Sequence, residues 1–280
     1  MSGNNASSTK TVLSKATRIL DAFGGNRVSM SLSDIVRATG LAHATVHRLA
    51  AELVTWGGLE RTEDGNFSVG LHLWELGARS RRSCDLKESA MPYLQDLFES
   101  THQHVQLALI DGNEALLIEK VSGPQAVHTV GRVGGRLPLH ASAVGKALLA
   151  AATPDFQTDY LAHRLTAYTP HTLTSSRALA LDLAVTRERG FAVTIEELTV
   201  GVVSCASVIA GPGYSALGAL SVVTPAGTGH PRRWSQAVTA TASAIAGAMV
   251  HPRVIPAISA RAPWSSADLS EQTGMANKVS

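Results

Sequence analysis

Apolar positions fall on helical stripes through the first hundred residues and on a mixture of strands and helices after that. Ala16, Ile19, Leu20 and Phe23 share one face of a helix predicted over Val12–Phe23, which the "GGNR" stretch stops. Ser31 with Asp34 three residues on forms a capping-box pattern, so a second helix is expected from Ser31 to Thr39. Gly40 supplies the turn after it. A third helix starts near Ala42, with Val46, Leu49, Ala50 and Leu53 facing inward, and ends at Gly57-Gly58. "LERTEDGNFSVG" then predicts a hairpin of Leu59–Thr62 and Phe67–Val69 about Asp64-Gly65. Helices over Leu71–Arg82 and Leu86–Thr101 flank a charged linker, "ARSRRSCD".

Beyond that point "VQLALIDGNEALLIEKV" predicts two strands joined at Asp111-Gly112, and "AVHTVGRV" another. Helices are expected over Ala141–Ala152, Asp155–Leu165, Ala178–Arg189 and Arg232–Val250. Strands are expected over Phe191–Glu196, Ser204–Ala210 and Leu217–Val223. Strands and helices without a regular alternation indicate an α+β domain. The division that results is a flexible arm (1–10), a winged helix-turn-helix (11–70), linker helices (71–101), an α+β domain (102–250) and a disordered tail (251–280).

Composition narrows the class. An apolar fraction of 45% with 16% charged residues fits a soluble globular chain. The net charge of +2 argues for no partner by itself. Residues 1–82 nevertheless hold ten Lys/Arg against seven Asp/Glu, a slight bias toward an anionic partner at that end. Two cysteines, Cys84 and Cys205, fit no metal spacing or disulfide framework, so a reducing cytoplasm is expected. The N-terminus has no signal-peptide core, and the most apolar run, Ala237–Val250, is too short to span a bilayer.

The third helix raises the chemical question. Its inward stripe leaves His43, Ala44, His47 and Arg48 pointing away from the core. A helix fits the major groove and reads base edges near its N-terminus, where Arg48 could contact guanine or hold a phosphate. Thr45 and the helix N-terminus suit a phosphate oxygen, Arg61 sits on the wing, and Lys15 and Arg18 add non-specific attraction. The alternative is a structural three-helix module with a solvated polar face. The Asp-Gly wing at the expected distance favours DNA binding.

Catalytic motifs fail on inspection. "HASAVGK" lacks the first glycine of a phosphate loop, and Ala147 follows Lys146 where Ser or Thr is needed. "GYSALG" has Leu217 where a nucleophile elbow needs glycine. The "HQH" of His102 and His104 is no metal motif by itself. No triad, convincingly placed carboxylate pair, metal site or cofactor fingerprint is found, so no enzyme, metal or cofactor is expected. Ser142–Gly145 opens a helix with small side chains, which suits an anion at its free N–H groups. A tightly packed strand–helix junction would need the same small residues, and residue chemistry alone leaves both readings open.

The order of helix, helix-turn-helix, Asp-Gly wing and linker resembles the IclR-type (isocitrate lyase regulator) transcription factors. "TGLAHATVHRLAAEL" is similar to the family's recognition segment. "GRLPLHASAVGKALLA" (Gly135–Ala150) and "RGFAVTIEELTVGVVSCASVI" (Arg189–Ile209) resemble its two effector-domain signatures. The resemblance covers about residues 11–250. It implies a GAF-like effector domain and homodimers, often paired into tetramers. It also implies a pocket of Leu137, His140, Ala143, Val144, Thr194, Glu197, Ser204, Cys205, Ser221 and Val223. Thr194 stands where an acid is frequent, Ser204 where a cysteine is, and Val223 where a serine is. Those departures make the pocket less acidic and more apolar, and favour a larger, aromatic organic acid. His140 would hydrogen-bond the ligand or cap its strand, and Cys205 would be a small buried apolar residue. The expectation is a repressor released by a small organic acid. An activator, an enzyme tethered to DNA and an architectural DNA-binding protein are its rivals.

Overall fold

The computed structural model describes residues 11–24, 27–123, 131–211, 216–228 and 230–250. The N-terminal arm and the tail after residue 250 lie outside them, as does most of the strand expected over Ala126–Val133.

The N-terminal unit contains α1 (Val12–Asp21), α2 (Leu32–Thr39) and α3 (His43–Trp56). Their facing stripes bury Ile19, Ile35, Val46, Leu49 and Ala50 in one core. A wing of β1 (Ser29–Met30), β2 (Leu59–Arg61) and β3 (Phe67–Val69) covers that core, in the order β1-β3-β2. The two-residue β1, pairing Met30 with Phe67, is too short for an alternation pattern to reveal.

The expected capping box forms. Ser31 Oγ accepts from the Asp34 amide at 3.1 Å, and the Asp34 carboxylate accepts from the Ser31 amide at 3.3 Å. The Ser31 hydroxyl, which also donates to the Asp34 carboxylate at 2.7 Å, and then the Ser31 amide hold the Asp34 carboxyl below its ordinary range. The box fixes where α2 begins, and Gly40, left-handed at φ 62°, fixes where it ends. Ser31→Ala is expected to lower stability by about 1 kcal/mol, measured by urea unfolding. Because the Asp34 pKa is depressed, its contribution is present above the usual carboxylate range and fades as the pH falls through it.

The helix expected over Leu71–Arg82 is shorter. α4 covers Leu71–Gly77, and α5 starts at Arg81 and runs to Thr101. α4 buries none of its residues, and Trp74 is 69% exposed.

The C-terminal unit is built on one antiparallel sheet of β4 (His104–Asp111), β5 (Glu114–Val121), β6 (Arg136–Pro138), β7 (Ala192–Ile195), β8 (Val202–Ala210) and β9 (Ala216–Pro225). Its strand order is β6-β5-β4-β9-β8-β7. Period-two alternation gives the sheet two apolar faces. Val105, Leu107, Cys205, Leu220 and Val222 pack against α5 and α9 (Ser235–Val250). Ala108, Leu117, Ala206 and Ala219 face α6 (Ala143–Ala151), α7 (Pro154–Ala162) and α8 (Ser176–Arg189). α6 is buried from Ala143 to Ala150 and forms the centre of that layer.

Candidate functional site

Two regions carry chemistry, and the first is the outer face of α3. His43, Ala44, His47 and Arg48 are exposed there and Thr45 is partly so, as the stripe argument requires. Ala42 gives α3 no side-chain cap; the Thr45 amide bonds the Ala42 carbonyl at 2.9 Å, and those of His43 and Ala44 are the ones that suit a phosphate oxygen. Arg48 is not idle in the unbound chain. It donates to Glu52 Oε1 at 2.6 Å across one helical turn, with about half of each side chain exposed. The Arg61 guanidinium lies 4.6 Å over the Phe67 ring and donates to the Gly65 carbonyl, which ties it to the wing tip. Lys15 and Arg18 are half-buried, and Arg18 reaches the α2–α3 turn at Gly40.

The second region is a partly open cavity between the sheet and the N-terminal turn of α6. Its floor is two cross-strand rows. Thr194 pairs with Ser204 and Ser204 with Val223, while Ser221 pairs with Gln106. Leu137, Ala141, Ser142, Ala143 and Val144 form one wall, and Leu198, Thr199 and Val202 form another. Among the described lining residues there are hydroxyls and one amide but no charged side chain. Ser142 caps α6: its Oγ accepts from the Gly145 amide and donates to the Pro138 carbonyl. The amides of Ala143 and Val144, at the first two positions of α6, have no carbonyl four residues back to bond. Gly145 is obligatory for this approach, since a Cβ there would stand 2.5 Å from Leu139 Cα and 2.7 Å from the Pro138 carbonyl oxygen.

Seven of the ten expected pocket residues line this cavity: Leu137, Ala143, Val144, Thr194, Ser204, Ser221 and Val223. Three do not. Cys205 follows Ser204 on an extended strand, so it points to the opposite face and packs with α5 and α9. Burial there pushes its thiol up to about 12. His140 uses both ring nitrogens elsewhere: Nδ1 meets the Tyr160 hydroxyl at 2.9 Å and Nε2 the Thr166 carbonyl at 2.9 Å. Burial lowers its pKa, and the two ring bonds make it a structural link. Glu197 is buried against Lys146, with Nζ to Oε1 at 2.7 Å. Sequence reasoning missed Gln106, Gly131, Ala141, Leu198, Thr199 and Val202, and named Ser142 only as part of the helix start. A polar Gln106 inside the apolar run "HVQLALI" was the available signal.

A two-part family match agrees with this division. The chain matches the IclR helix-turn-helix domain over residues 12–63 and the bacterial transcriptional regulator IclR C-terminal domain over residues 78–248. The chain belongs to the IclR family.

Regulators of the IclR family bind DNA through the helix-turn-helix and a small-molecule effector through the C-terminal domain. The chain is 35% identical to the HTH-type transcriptional regulator XynR of Escherichia coli over 190 residues, 67% of this chain and 75% of that protein. It is 31% identical to the transcriptional repressor IclR of E. coli over 218 residues, 76% of this chain and 79% of that one. A crystal structure of an IclR homolog complexed with 4-hydroxybenzoate, from Microbacterium hydrocarbonoxydans, superposes with a TM-score of 0.80 at 31% identity. That match covers 86% of this chain and 99% of the homolog. This IclR-family chain is thus a transcription regulator, with repressors among its relatives. Among the described residues, no helix is long and apolar enough to cross a membrane.

Proposed function

We propose that this regulator is a repressor released from its operator by a small aromatic acid bound in the cavity at α6. The cavity itself carries this reading: its described lining is uncharged and partly apolar, and it ends on the open amides of Ala143 and Val144. A carboxylate suits those amides and the helix dipole behind them. A ring suits Leu137, Val144, Leu198 and Val223, and the hydroxyls of Thr194, Ser204 and Ser221 suit a ring substituent. The homolog with 4-hydroxybenzoate supports this ligand class, and repressors among the relatives support the sign.

On the DNA side, α3 lies in the major groove with His43, Ala44, His47 and Arg48 toward the bases, and Thr45 and the helix start on a phosphate. Arg61, Lys15 and Arg18 flank the backbone. Residues 11–70 act as the reading head and 71–101 join it to the sensor at 102–250. Leu71 and Trp74, 63% and 69% exposed on α4, suit a second copy of the chain. Two protomers then read half-sites about one turn, roughly 10 bp, or a multiple apart. A regulator bound to the chromosome works in the cytoplasm.

The test is a thermal-shift and gel-shift screen with hydroxybenzoates, benzoate and short aliphatic acids. The aromatic acids are expected to raise the melting temperature in a saturable way. They are also expected to weaken operator binding by about 5–150-fold, the usual range for coupled sites. Aliphatic acids acting at lower concentration, or ligand tightening the DNA complex, would overturn the ligand class or the sign respectively.

A further inference from the structure

Among the described lining residues of the cavity, Gln106 is the one side-chain amide, and its hydrogen bonds do not close. It lies on β4, an interior strand of the sheet, paired with Ser221 on β9 and Lys120 on β5. Alternation turns Val105 and Leu107 toward α5 and α9, so Gln106 faces the α6 side, where it lines the cavity with Ser221 and Gly131. Gln106 and Ser221 are both buried. Ser221 Oγ stands 3.5 Å from Gln106 Oε1, at the outer edge of hydrogen-bond distance. Gln106 Nε2 donates to no group among the described residues, yet it is not fully enclosed, so its N–H groups open on the cavity.

The amide head is held in place from its other side. Lys120 Nζ donates to the Gly131 carbonyl at 3.0 Å and keeps Gly131 beside the amide. A Cβ on Gly131 would stand 2.8 Å from Gln106 Nε2 and push it away, so glycine permits the approach. The other polar pair on the floor is different. Thr194 Oγ1 and Ser204 Oγ are 2.7 Å apart, a full hydrogen bond, and largely satisfy each other. The unmet demand on the floor therefore sits at Gln106 and Ser221, which offer an N–H donor and a hydroxyl oxygen with room to accept. Buried polar groups seldom stay unpaired. A hydroxyl both accepts and donates, so a single one meets both demands.

We propose that Gln106 is the specificity-determining residue of this cavity, selecting an aromatic acid with a ring hydroxyl over the unsubstituted acid. The ligand hydroxyl accepts from Gln106 Nε2 and donates to Ser221 Oγ, whose own proton stays on Gln106 Oε1. An unsubstituted ring leaves the amide N–H against carbon, which costs the desolvation of that donor with nothing in return. The inference rests on the effector reading above and narrows its ligand class.

The experiment is calorimetric titration of the full chain with benzoate, 3-hydroxybenzoate and 4-hydroxybenzoate, on the wild type, Gln106→Met and Ser221→Ala. Methionine keeps the length of glutamine and suits a buried position without the amide. The wild type is expected to bind one of the hydroxybenzoates about tenfold or more tightly than benzoate, the worth of a hydrogen bond plus the desolvated donor. Gln106→Met is expected to lose that preference, with the hydroxybenzoate weakened and benzoate bound at least as well as before. Ser221→Ala is expected to reduce the preference about threefold. A preference unchanged in Gln106→Met, or in Ser221→Ala where the methionine variant does not fold, overturns the proposal and leaves the effector site standing. A wild type that binds benzoate and the hydroxybenzoates alike does the same. So does a parallel loss of both kinds of acid in Gln106→Met, because a purely structural role moves both. No binding of any of the three acids to the wild type overturns the effector reading, and the proposal with it.

Discussion

Arg48→Ala is expected to weaken operator binding by about tenfold to a hundredfold while leaving the melting temperature and effector binding unchanged. The magnitude follows from one bidentate base contact, about 1–3 kcal/mol. The selectivity follows from the position of Arg48. Val46, Leu49 and Ala50 carry the core face of α3, and Arg48 stands outside it with 57% of its side chain exposed. Its partner Glu52 is 58% exposed, and a surface pair of this kind contributes about 0–1 kcal/mol, so stability barely depends on it. The pair matters more for binding. A duplex has to draw Arg48 away from Glu52, and the Glu52 carboxylate then faces phosphates of its own sign. Glu52→Gln is therefore expected to tighten DNA binding where Arg48→Ala loosens it. Gel-shift titrations check both. Unchanged affinity in Arg48→Ala would remove α3 from the groove.

The N-terminal unit was legible because its signals are local. The capping box at Ser31, the turn glycine at Gly40 and the Asp-Gly wing each act within a few residues, and the structure shows all three. The break between α4 and α5 was less so. The bond from the Ala78 amide to the Trp74 carbonyl closes α4 just after Gly77, a glycine that is not left-handed, and exposed Trp74 mimics a core position in the pattern. The cavity was half legible. The signatures located α6 and the β7–β8 segment, but which side chain faces the ligand depends on the pleat of the strand. Ser204 and Cys205 are neighbours on β8, so both could never have lined one cavity, and strand alternation alone separates them. His140 and Glu197 fail for a longer-range reason. Their partners Tyr160, Thr166 and Lys146 come from elements 20 to 51 residues away, and no spacing rule connects them. The three-residue β6 fell below any alternation signal.

Lys146→Met is expected to cost about 3–5 kcal/mol at neutral pH, the penalty for leaving a buried charge unpaired. Lys146 is 1% exposed in the middle of α6, among alanines and leucines that would suit an apolar residue. Its Nζ sits 2.7 Å from Glu197 and 3.0 Å from Asp182, so one cation joins α6, α8 and the β7–β8 loop. Glu197 Oε2 has no partner among the described residues, which leaves Lys146 as the main compensation for that buried carboxylate. Burial raises the Glu197 pKa, and Lys146 pulls it back. Without the lysine the folded-state value rises further. A raised folded pKa gives stability that is complete at low pH and lost as the pH climbs through it. The deficit of Lys146→Met should therefore shrink as the solution is acidified from pH 7 toward the ordinary carboxylate range. Adding Glu197→Gln should recover part of it at pH 7, since Asp182 is a quarter exposed and can be hydrated. Urea unfolding of the single and double variants at two pH values measures all of this. The same experiment bears on the sensor, because Leu198 and Thr199, next to Glu197, form a wall of the cavity at α6. Full stability of Lys146→Met at pH 7 would mean that the pair holds neither the loop nor the ligand site in place.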